Sequence, residues 1–265
     1  MVPYNTCIYR TKGTNFGSIN KYQNFDTPGI PTDLTIIFPI AHSKMSITFN
    51  YFGIPARGEA TRVALAYAGK KFIDNRLGFP EYGASKWAGK GLPVLEMDDR
   101  EYFQSLAMLR YAGKLGGLYP KNPLEALRVD EIVYITEDVM SHLFKTFGAE
   151  DDTIAKEVLS GKVDILLKIL MSKIDDNPLS SDVNDWDSLV KFFKSKFTPR
   201  SSSKFCVGDS LTIADLQVHA MIMTVEAGFL TGIPKTLISD SYASLMDTKA
   251  AVMTDPKVSS YYSSL

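Results

Sequence analysis

The spacing of hydrophobic and polar residues divides the chain into three regions. Residues 1–44 show no sustained periodicity and are rich in Gly, Asn, Thr and Pro. Residues 46–52 then alternate polar and apolar side chains, which is typical of a strand, and residues 57–67 repeat apolar positions at helical spacing. Beyond residue 123 the strand signals nearly vanish and helical spacing dominates. The pattern predicts an amino-terminal extension, a small α/β unit and an all-helical region.

The α/β unit is predicted to occupy residues 45–118 with the element order β-α-β-α-β-β-α. Between its last two strands, Asp98-Asp99-Arg100 favours a hairpin turn. Glycine and proline residues then mark a linker at residues 119–123. The predicted elements lie at residues 46–52, 57–67, 71–77, 79–90 (irregular or a short helix), 94–97, 101–103 and 105–113.

The helical region is predicted to span residues 124–265. One helix start carries a specific signal, because Thr212 precedes Asp215 by three residues. The threonine hydroxyl can cap the helix while the carboxylate reaches back to the backbone N–H of Thr212, as in a capping box. The candidate helices lie at residues 124–147, 154–174, 182–196, 212–227 and about 239–253.

The amino-terminal extension, residues 1–44, has three interpretations. It is a disordered tail, an overextended start with Met45 as the true initiator, or a transit peptide, for which arginine is scarce. A short apolar run at residues 34–40 is broken by Pro39 and lacks the charged start and cleavage site of a secretory signal. The first two interpretations therefore fit the sequence better than a targeting segment.

Composition narrows the function classes. The 265 residues carry a formal net charge of −1, with 45% hydrophobic and 22% charged residues, which is ordinary for a soluble globular protein. This balance disfavours nucleic acid as the main partner, and no apolar run approaches the ~20 residues that span a bilayer. Cys7, Cys206 and three scattered histidines give neither a disulfide framework nor a metal-ligand spacing. We therefore expect no metal, nucleic-acid or membrane partner.

Two motifs, in which Pro93 and Gln104 are eleven positions apart, predict a docking site for a small anionic peptide. Gly91-Leu-Pro-Val-Leu leads into a strand, and Gln104-Ser-Leu-Ala-Met-Leu-Arg-Tyr opens a helix. A free backbone edge can pair with an extended peptide, and the start of a helix favours a carboxylate. For Ser105 alone, the alternative is a plain helix cap, since serine is a preferred capping residue.

With these motifs, residues 46–265 resemble a cytosolic glutathione transferase, most closely the sigma class that includes glutathione-dependent prostaglandin D synthases. The resemblance also rests on Tyr51-Phe52 ahead of Arg57-Gly-Glu-Ala-Thr-Arg, and on residues 209–215. It implies a thioredoxin-like α/β domain followed by an all-α helical bundle. It further implies glutathione as co-substrate, a small hydrophobic electrophile as the second substrate, a homodimer and a cytoplasmic location.

The resemblance assigns roles to individual residues of the motifs. Tyr51 would donate a hydrogen bond to the glutathione thiolate, which is a minority species at neutral pH because a free thiol has a pKa of ~8.5. Arg57 would help to hold the site in its ionised form. Leu92 would pair its backbone with the cysteinyl part of glutathione ahead of a cis Pro93. The γ-glutamyl end would bind at the two residues that open the second motif, Gln104 and Ser105.

The resemblance also implies roles for residues outside these motifs. Phe79 and Lys86 are candidates to meet the glycyl carboxylate, although the spacing from Lys86 and the adjacent Trp87 to the Leu-Pro motif departs from the family. Asp138 would reach the glutathione amine of a neighbouring subunit, or else lie on a solvated helix face. Lys145 stands where prostaglandin synthases have tryptophan, which favours general conjugation over prostaglandin isomerisation.

Three functions compete on this evidence. The first is an enzyme that conjugates glutathione to hydrophobic electrophiles, with peroxide reduction or isomerisation as variants. The second is a non-catalytic glutathione- or ligand-binding protein on the same scaffold, which the presence of Tyr51 disfavours. The third is a thiol–disulfide oxidoreductase, which needs a cysteine after the first strand, and residues 51–55 contain none. The wall of the electrophile site is expected between the domains, with Tyr51, Phe52 and Met140 among its candidates.

Overall fold

The computed structural model describes residues 7–10, 16–19, 46–174 and 205–265. The chain divides into two units, Met1–Met45 and Ser46–Leu265. Within the first unit, strand β1 (Cys7–Arg10) pairs antiparallel with strand β2 (Phe16–Ile19). The sequence did not predict this pair of strands, because eight residues in two short segments give too little periodicity to be recognised.

The second unit begins with a four-stranded sheet flanked by helices. The strand order is β4-β3-β5-β6; β3 runs parallel to β4, and the other two pairs are antiparallel. The elements follow the predicted order β-α-β-α-β-β-α, so that prediction is confirmed. They are β3 (Ile47–Phe52), α1 (Ala56–Tyr67), β4 (Phe72–Leu77), α2 (Phe79–Ala84), β5 (Val94–Met97), β6 (Arg100–Tyr102) and α3 (Ser105–Gly116).

The alternation of side chains along strand β3 determines which of its residues enter the core and where Tyr51 lies. Phe49 and Tyr51 of β3 are buried, and their side chains lie on one face of the sheet because successive strand residues point to opposite faces. The predicted hairpin is also present: Asp98 and Asp99 both have positive φ angles, which a tight two-residue turn requires and aspartate tolerates. This turn reverses β5 into β6 and brings the chain to the start of α3.

From residue 123 onward the described chain is helical, as predicted. Asn122 caps the first of these helices by accepting hydrogen bonds from the N–H groups of Leu124 and Glu125. The predicted capping box is confirmed, since Thr212 accepts from Ala214 and Asp215 accepts from the N–H of Thr212 at 2.8 Å. The helices are α4 (Pro123–Leu143), α5 (Thr153–Val158), α6 (Asp164–Ile174), α7 (Ile213–Ala227), α8 (Leu237–Ser241), α9 (Ala243–Thr254) and α10 (Pro256–Ser263).

Two predicted helices are each broken in the structure. The prediction of one helix over residues 154–174 is wrong, because a π-helical turn (Leu159–Val163) separates α5 from α6. Gly161 within it has φ −120° and ψ −112°, a conformation that side chains with a Cβ avoid. The predicted helix at residues 239–253 is interrupted at Tyr242, whose hydroxyl donates to Asp164 at 2.9 Å. The predicted helix at residues 182–196 lies outside the described residues.

Helix α1 connects the sheet to the helical region. It packs against α3 on the α/β side and against α7 on the helical side. Residues Ser46–Leu265 form one compact unit, and the domain boundaries at 45–118 and 124–265 remain a prediction. Across the described parts of the chain, no helix is long and apolar enough to cross a membrane, and no group of three or more His, Cys, Asp or Glu is placed to hold a metal ion.

Candidate active site

A cavity of about 330 Å³ collects most of the residues predicted for the site. We call it the site cavity. It lies where the loop before β5, the start of α3, the start of α1 and the middle of α4 meet. Five of its residues, Arg57, Leu92, Pro93, Gln104 and Ser105, were predicted from sequence. The complete lining is Arg57, Lys90, Gly91, Leu92, Pro93, Phe103, Gln104, Ser105 and Glu137.

The loop before β5 presents a free segment of backbone to the site cavity. The Leu92–Pro93 peptide bond is cis, as the sequence analysis expected. Gly91 has φ 84°, which favours glycine, and its N–H donates to the Tyr82 hydroxyl at 3.3 Å. Within the described chain, the N–H and C=O of Leu92 make no backbone hydrogen bond. Leu92 is therefore available to pair with an extended peptide.

The start of α3 is also left open. The residue that caps α3 is Gln104, not Ser105, and no side chain caps the helix. The interpretation of Ser105 as a plain helix cap is therefore wrong. Gln104 has φ 74° and ψ 105°, a strained conformation for a residue other than glycine, of the kind that collects at functional sites. Uncapped N–H groups at the start of a twelve-residue helix favour a bound anion.

Tyr51 stands behind the cavity rather than in its lining. Its side chain is buried, and its hydroxyl accepts a hydrogen bond from the backbone N–H of Arg57 at 3.2 Å. The hydroxyl hydrogen has no acceptor among the described residues, so it is free to be donated. Burial raises the pKa of Tyr51, partly opposed by the hydrogen bond from Arg57 and by the charges of Arg57 and Arg62. The group therefore stays protonated at neutral pH and can act as a donor.

The Tyr51 ring is held in place by a glycine of α1. A Cβ atom added to Gly58 would lie 2.2 Å from the Cδ1 atom and 2.7 Å from the Cγ atom of Tyr51. The helix therefore approaches the end of β3 so closely that only hydrogen fits between them. This close approach also brings the N–H of Arg57 within reach of the hydroxyl.

The Arg57 side chain connects α1 to α4. Its Nε donates to Glu137 at 2.6 Å and its Nη2 donates to Ser141 at 3.0 Å. The guanidinium also lies over the Phe144 ring, 5.1 Å from its centroid. One carboxylate oxygen of Glu137 is thus occupied, and the other, Oε2, is buried without a hydrogen-bond partner. That oxygen can accept from a cationic group of a ligand.

Four of the nine lining residues were not assigned to the site from sequence, and two of them, Lys90 and Glu137, are charged. Lys90 is exposed at the rim of the cavity and forms no ion pair in the described part of the chain. Glu137 lines the cavity, whereas Asp138, which was expected to reach the glutathione amine of a neighbouring subunit, is exposed and does not line it. The signal for Glu137 was its position one helical turn from the buried Val133 and Met140.

Two residues expected to meet the glycyl carboxylate, Phe79 and Lys86, lie outside the site cavity. The Lys86 ammonium pairs with Glu96 at 2.6 Å and with Glu101 at 2.8 Å, and Trp87 donates its indole N–H to the same Glu101 at 3.1 Å. Phe79 is 61% exposed and stacks on other aromatic rings. The structure therefore does not bring Phe79 or Lys86 to the place where the peptide backbone is open.

An aromatic cluster lies beside Tyr51. Phe52 is 5.6 Å from the Tyr51 ring and 5.0 Å from Phe79, which stacks on Phe147 at 6.2 Å. The cluster joins α2 to the segments that follow α4 and α7, and its outer rings are partly exposed. Its members are Phe52, Phe79, Tyr82, Phe144, Phe147 and Phe229.

Comparisons with known proteins place the chain among glutathione S-transferases. The family model described as "Glutathione S-transferase, C-terminal domain" matches residues 184–265. Glutathione S-transferase 1 of Ascaris suum is 32% identical over 194 residues, 69% of this chain and 82% of that protein. S-crystallin 3 of Enteroctopus dofleini is 26% identical over 233 residues, 82% of this chain and 95% of that protein.

Solved structures give the same result. The crystal structure of the glutathione S-transferase from Ascaris lumbricoides superimposes with a TM-score of 0.59 and 26% identity. The match covers 83% of this chain and 97% of that one. The resemblance seen in the sequence is thereby confirmed, and the chain belongs to the glutathione S-transferase family.

Proposed function

We propose that this enzyme conjugates glutathione to hydrophobic electrophiles and that Tyr51 activates the thiol. The observation that supports the proposal is the hydrogen bond from the Arg57 N–H to the Tyr51 hydroxyl. The Tyr51 hydroxyl oxygen accepts a hydrogen bond from the backbone. Its own hydrogen is therefore available to be donated to a ligand atom in front of the hydroxyl. A thiolate there gains a hydrogen bond that strengthens as the negative charge on sulfur develops.

The chemical step needs little more than this donor and a bound electrophile. The thiol loses its proton to solvent, and the thiolate, stabilised by Tyr51, attacks an electrophilic carbon. A new C–S bond forms while the leaving group departs with its electron pair or, for an activated alkene, the adjacent carbon takes up a proton. The positive charges of Arg57 and Arg62 oppose the effect of burial on the Tyr51 pKa, and they favour the thiolate by the same attraction.

The site cavity offers a complementary group for each polar part of glutathione. The γ-glutamyl carboxylate would meet Ser105 and the uncapped start of α3, and its ammonium would meet the free oxygen of Glu137. The cysteinyl backbone would pair with Leu92. We assign the glycyl carboxylate to Lys90 in place of Lys86, since Lys86 is already paired with two carboxylates.

The electrophile would bind against the aromatic cluster. Partly exposed rings next to Tyr51 supply a hydrophobic surface between the sheet end of the unit and the helical region, where ligand pockets commonly form. Lys145 stands where prostaglandin synthases carry a tryptophan, and its ammonium lies 3.2 Å from the His142 ring nitrogen. A charged side chain at this position supports general conjugation rather than prostaglandin isomerisation.

The test compares Tyr51→Phe with Tyr119→Phe. Tyr119 donates its hydroxyl hydrogen to Asp130 at 2.9 Å, away from the site cavity, and serves as a matched control. We expect Tyr51→Phe to lower kcat for a chloronitrobenzene by about 10²- to 10³-fold, with capture on a glutathione resin retained. Full activity in Tyr51→Phe would refute the tyrosine mechanism. Loss of resin capture would instead point to a binding role for the hydroxyl.

The second candidate function is a non-catalytic binding protein, and the similarity to an S-crystallin supports this alternative. The same experiment separates the two. Resin capture of the wild type without turnover of any of several electrophile classes would support the binding protein. Measurable conjugation that depends on Tyr51 would exclude it.

We also propose a homodimer, held through one exposed face. Leu124, Leu127 and Tyr134 share a face of α4, and Tyr102 and Phe103 precede α3. Asp138 extends this face by one further turn, so it is placed to approach a partner's glutathione, as the resemblance implies. We expect light scattering to report twice the 29.4 kDa chain mass, and Leu127→Glu to give a monomer. A monomeric wild type would refute the proposal. A cytoplasmic location follows from the same family resemblance.

A further inference from the structure

Arg62 in α1 is among the largest side chains that are completely buried. Its three guanidinium nitrogens all have acceptors. Nε donates to Asp74 at 2.8 Å, Nη1 donates to the carbonyl of Ile54 at 3.1 Å, and Nη2 donates to the carbonyl of Phe52 at 2.8 Å. A buried guanidinium is tolerated only when its donors are satisfied in this way.

Two of these acceptors belong to the short segment that separates Tyr51 from Arg57. Residues 53–55 of this segment have no regular secondary structure, and Ala56 follows with φ 43°, an uncommon angle for alanine. The segment must turn sharply, because its last step returns the N–H of Arg57 to the hydroxyl of Tyr51. Arg62 holds the two carbonyls that define this turn.

Arg62 also contacts the Tyr51 ring directly. The guanidinium carbon lies 5.5 Å from the centroid of the Tyr51 ring and 5.6 Å from that of Phe49, both within the range of cation–π attraction. The ring is thus confined by Gly58 on one side and by the guanidinium on another. The same positive charge works against the rise in the Tyr51 pKa that burial causes.

Two carboxylates balance the buried charge from behind. Asp74 on β4 pairs with Arg62 and also with Arg76, whose Nε lies 2.7 Å from the second Asp74 oxygen. Glu59 lies 3.6 Å from the Arg62 Nη1 atom, and the hydroxyl of Tyr262, in α10, interacts with that carboxylate. The charged group is therefore held by the sheet, by its own helix and by the last helix of the chain.

We propose that Arg62 is a positioning residue for the reaction: it fixes the turn between Tyr51 and Arg57, and with it the direction in which the Tyr51 hydroxyl points. The inference rests on the proposed function, because it gives Arg62 a role only through Tyr51. The proposed role differs from general stabilisation. A residue that only stabilised the core would leave the direction of the Tyr51 hydroxyl unchanged.

The test compares Arg62→Lys and Arg62→Met with Arg76→Met. Arg76 binds the same Asp74 but contacts neither the turn carbonyls nor the Tyr51 ring, which makes it the matched control. Lysine keeps the charge, but its compact ammonium cannot reach three acceptors that are spread around a planar guanidinium. We expect both Arg62 variants to lower kcat about 10- to 100-fold, as small misplacements of catalytic groups do. The KM for glutathione should stay within about threefold, and Arg76→Met should behave as wild type.

A double-mutant cycle distinguishes positioning from general damage. If Arg62 acts through the Tyr51 hydroxyl, Arg62→Lys should have little further effect on kcat in a Tyr51→Phe background. An equal loss in both backgrounds, or a loss that appears in KM instead of kcat, would overturn the inference. Melting curves identify variants that fail to fold, and Arg62→Lys carries the test if Arg62→Met does not fold. An unaffected Tyr51→Phe would instead overturn the proposed function itself.

Discussion

Two polar cavities in the described part of the chain can be compared, and the larger of these two is not the better candidate for a site. The hairpin cavity, at the turn between β5 and β6, has a volume of about 630 Å³, against about 330 Å³ for the site cavity. Within it, Lys86 pairs with both Glu96 and Glu101. The site cavity, by contrast, contains polar groups that remain unpaired within the described chain. They are the Leu92 backbone, the start of α3, Lys90 and one Glu137 oxygen.

The difference teaches that unsatisfied polar groups mark a ligand site better than volume does. A buried polar atom without a partner costs free energy in the folded protein. Such atoms persist where a ligand supplies the missing partner, and the strained φ of Gln104 adds to the same cost. Among the described residues, no side chain that lines the hairpin cavity has a buried polar atom without a hydrogen-bond partner.

Among the variants that compare the two cavities, Gly58→Ala should have the largest effect, because it displaces Tyr51 without changing a residue that lines the site cavity. The added methyl group would overlap the Tyr51 ring. We expect a loss of about 1–3 kcal/mol in the free energy of unfolding from overpacking and about 100-fold in kcat from the displaced hydroxyl. Gly83→Ala is the control, since a Cβ there meets nothing within 4 Å. Unchanged conjugation kinetics in Gly58→Ala would contradict the proposed geometry.

The next prediction compares the glutathione affinity of two variants, each with a serine from one cavity replaced. Ser105→Ala removes a hydroxyl at the open start of α3, whereas Ser46→Ala removes one that lines the hairpin cavity. A hydrogen bond to a charged group contributes about 1.5–3 kcal/mol, so we expect glutathione affinity to fall about 10- to 100-fold in Ser105→Ala only. Isothermal titration with glutathione measures this. Equal affinities for the two variants would remove the distinction between the cavities.

A smaller effect separates two lysines that are close in sequence. Lys90 lies at the rim of the site cavity, and Lys86 is paired in the hairpin cavity. Because Lys90 is exposed, its pair with the glycyl carboxylate should contribute at most about 1 kcal/mol. We expect Lys90→Met to raise the KM for glutathione about two- to fivefold, and more at low salt. A rise in Lys86→Met instead would restore the assignment drawn from sequence.

The last prediction concerns the loss of folding stability in acid, as distinct from acid effects in either cavity. His219 is buried and its Nε2 lies 3.0 Å from the Tyr262 hydroxyl. Burial, with a smaller contribution from Lys249, lowers the pKa of His219 to about 4. In the unfolded chain His219 binds a proton near pH 6.5, whereas in the folded protein it stays neutral down to about pH 4. The free energy of unfolding therefore falls as the pH drops from about 7 to about 4.

Urea unfolding at pH 7.5 and pH 5 measures this effect. The loss attributable to His219 should be about 2 kcal/mol at pH 5, and it should be absent in His219→Gln, which can still hydrogen-bond to Tyr262. The same pH dependence in the variant would show that other groups control acid stability.

The sequence predicted the fold well because local signals and long-range packing agree. The alternation of residues 46–52 and the Thr212–Asp215 spacing each specify an element that the structure contains. The break at Tyr242 left no local signal, because it depends on a hydroxyl that reaches Asp164, 78 positions away. Helix α10 did carry one that was overlooked, since Asp255 caps it ahead of Pro256 at the first helical position.

The site was predicted less completely, for reasons of geometry. The backbone groups around Leu92 and Gln104 follow from short motifs, and the structure brings them together in one cavity. The charged residues depend on helix rotation and loop path. One step along α4 turns the side chain by about 100°, which separates Glu137 at the cavity from the exposed Asp138. Nothing in the sequence shows that Lys86 is already neutralised by two carboxylates.

The first N–H of α1 has a consequence for how the protein is made. No side chain near the start of α1 caps the helix; the N–H of Ala56 donates to the hydroxyl of Thr224 in α7, 168 positions later, at 3.1 Å. During synthesis from the amino terminus, the turn that carries Arg57 must wait for most of the chain to emerge. A contact of such long sequence separation also forms late and slowly in refolding. We therefore expect catalytic activity to return after the bulk of the helical signal, as the last property that the polypeptide acquires.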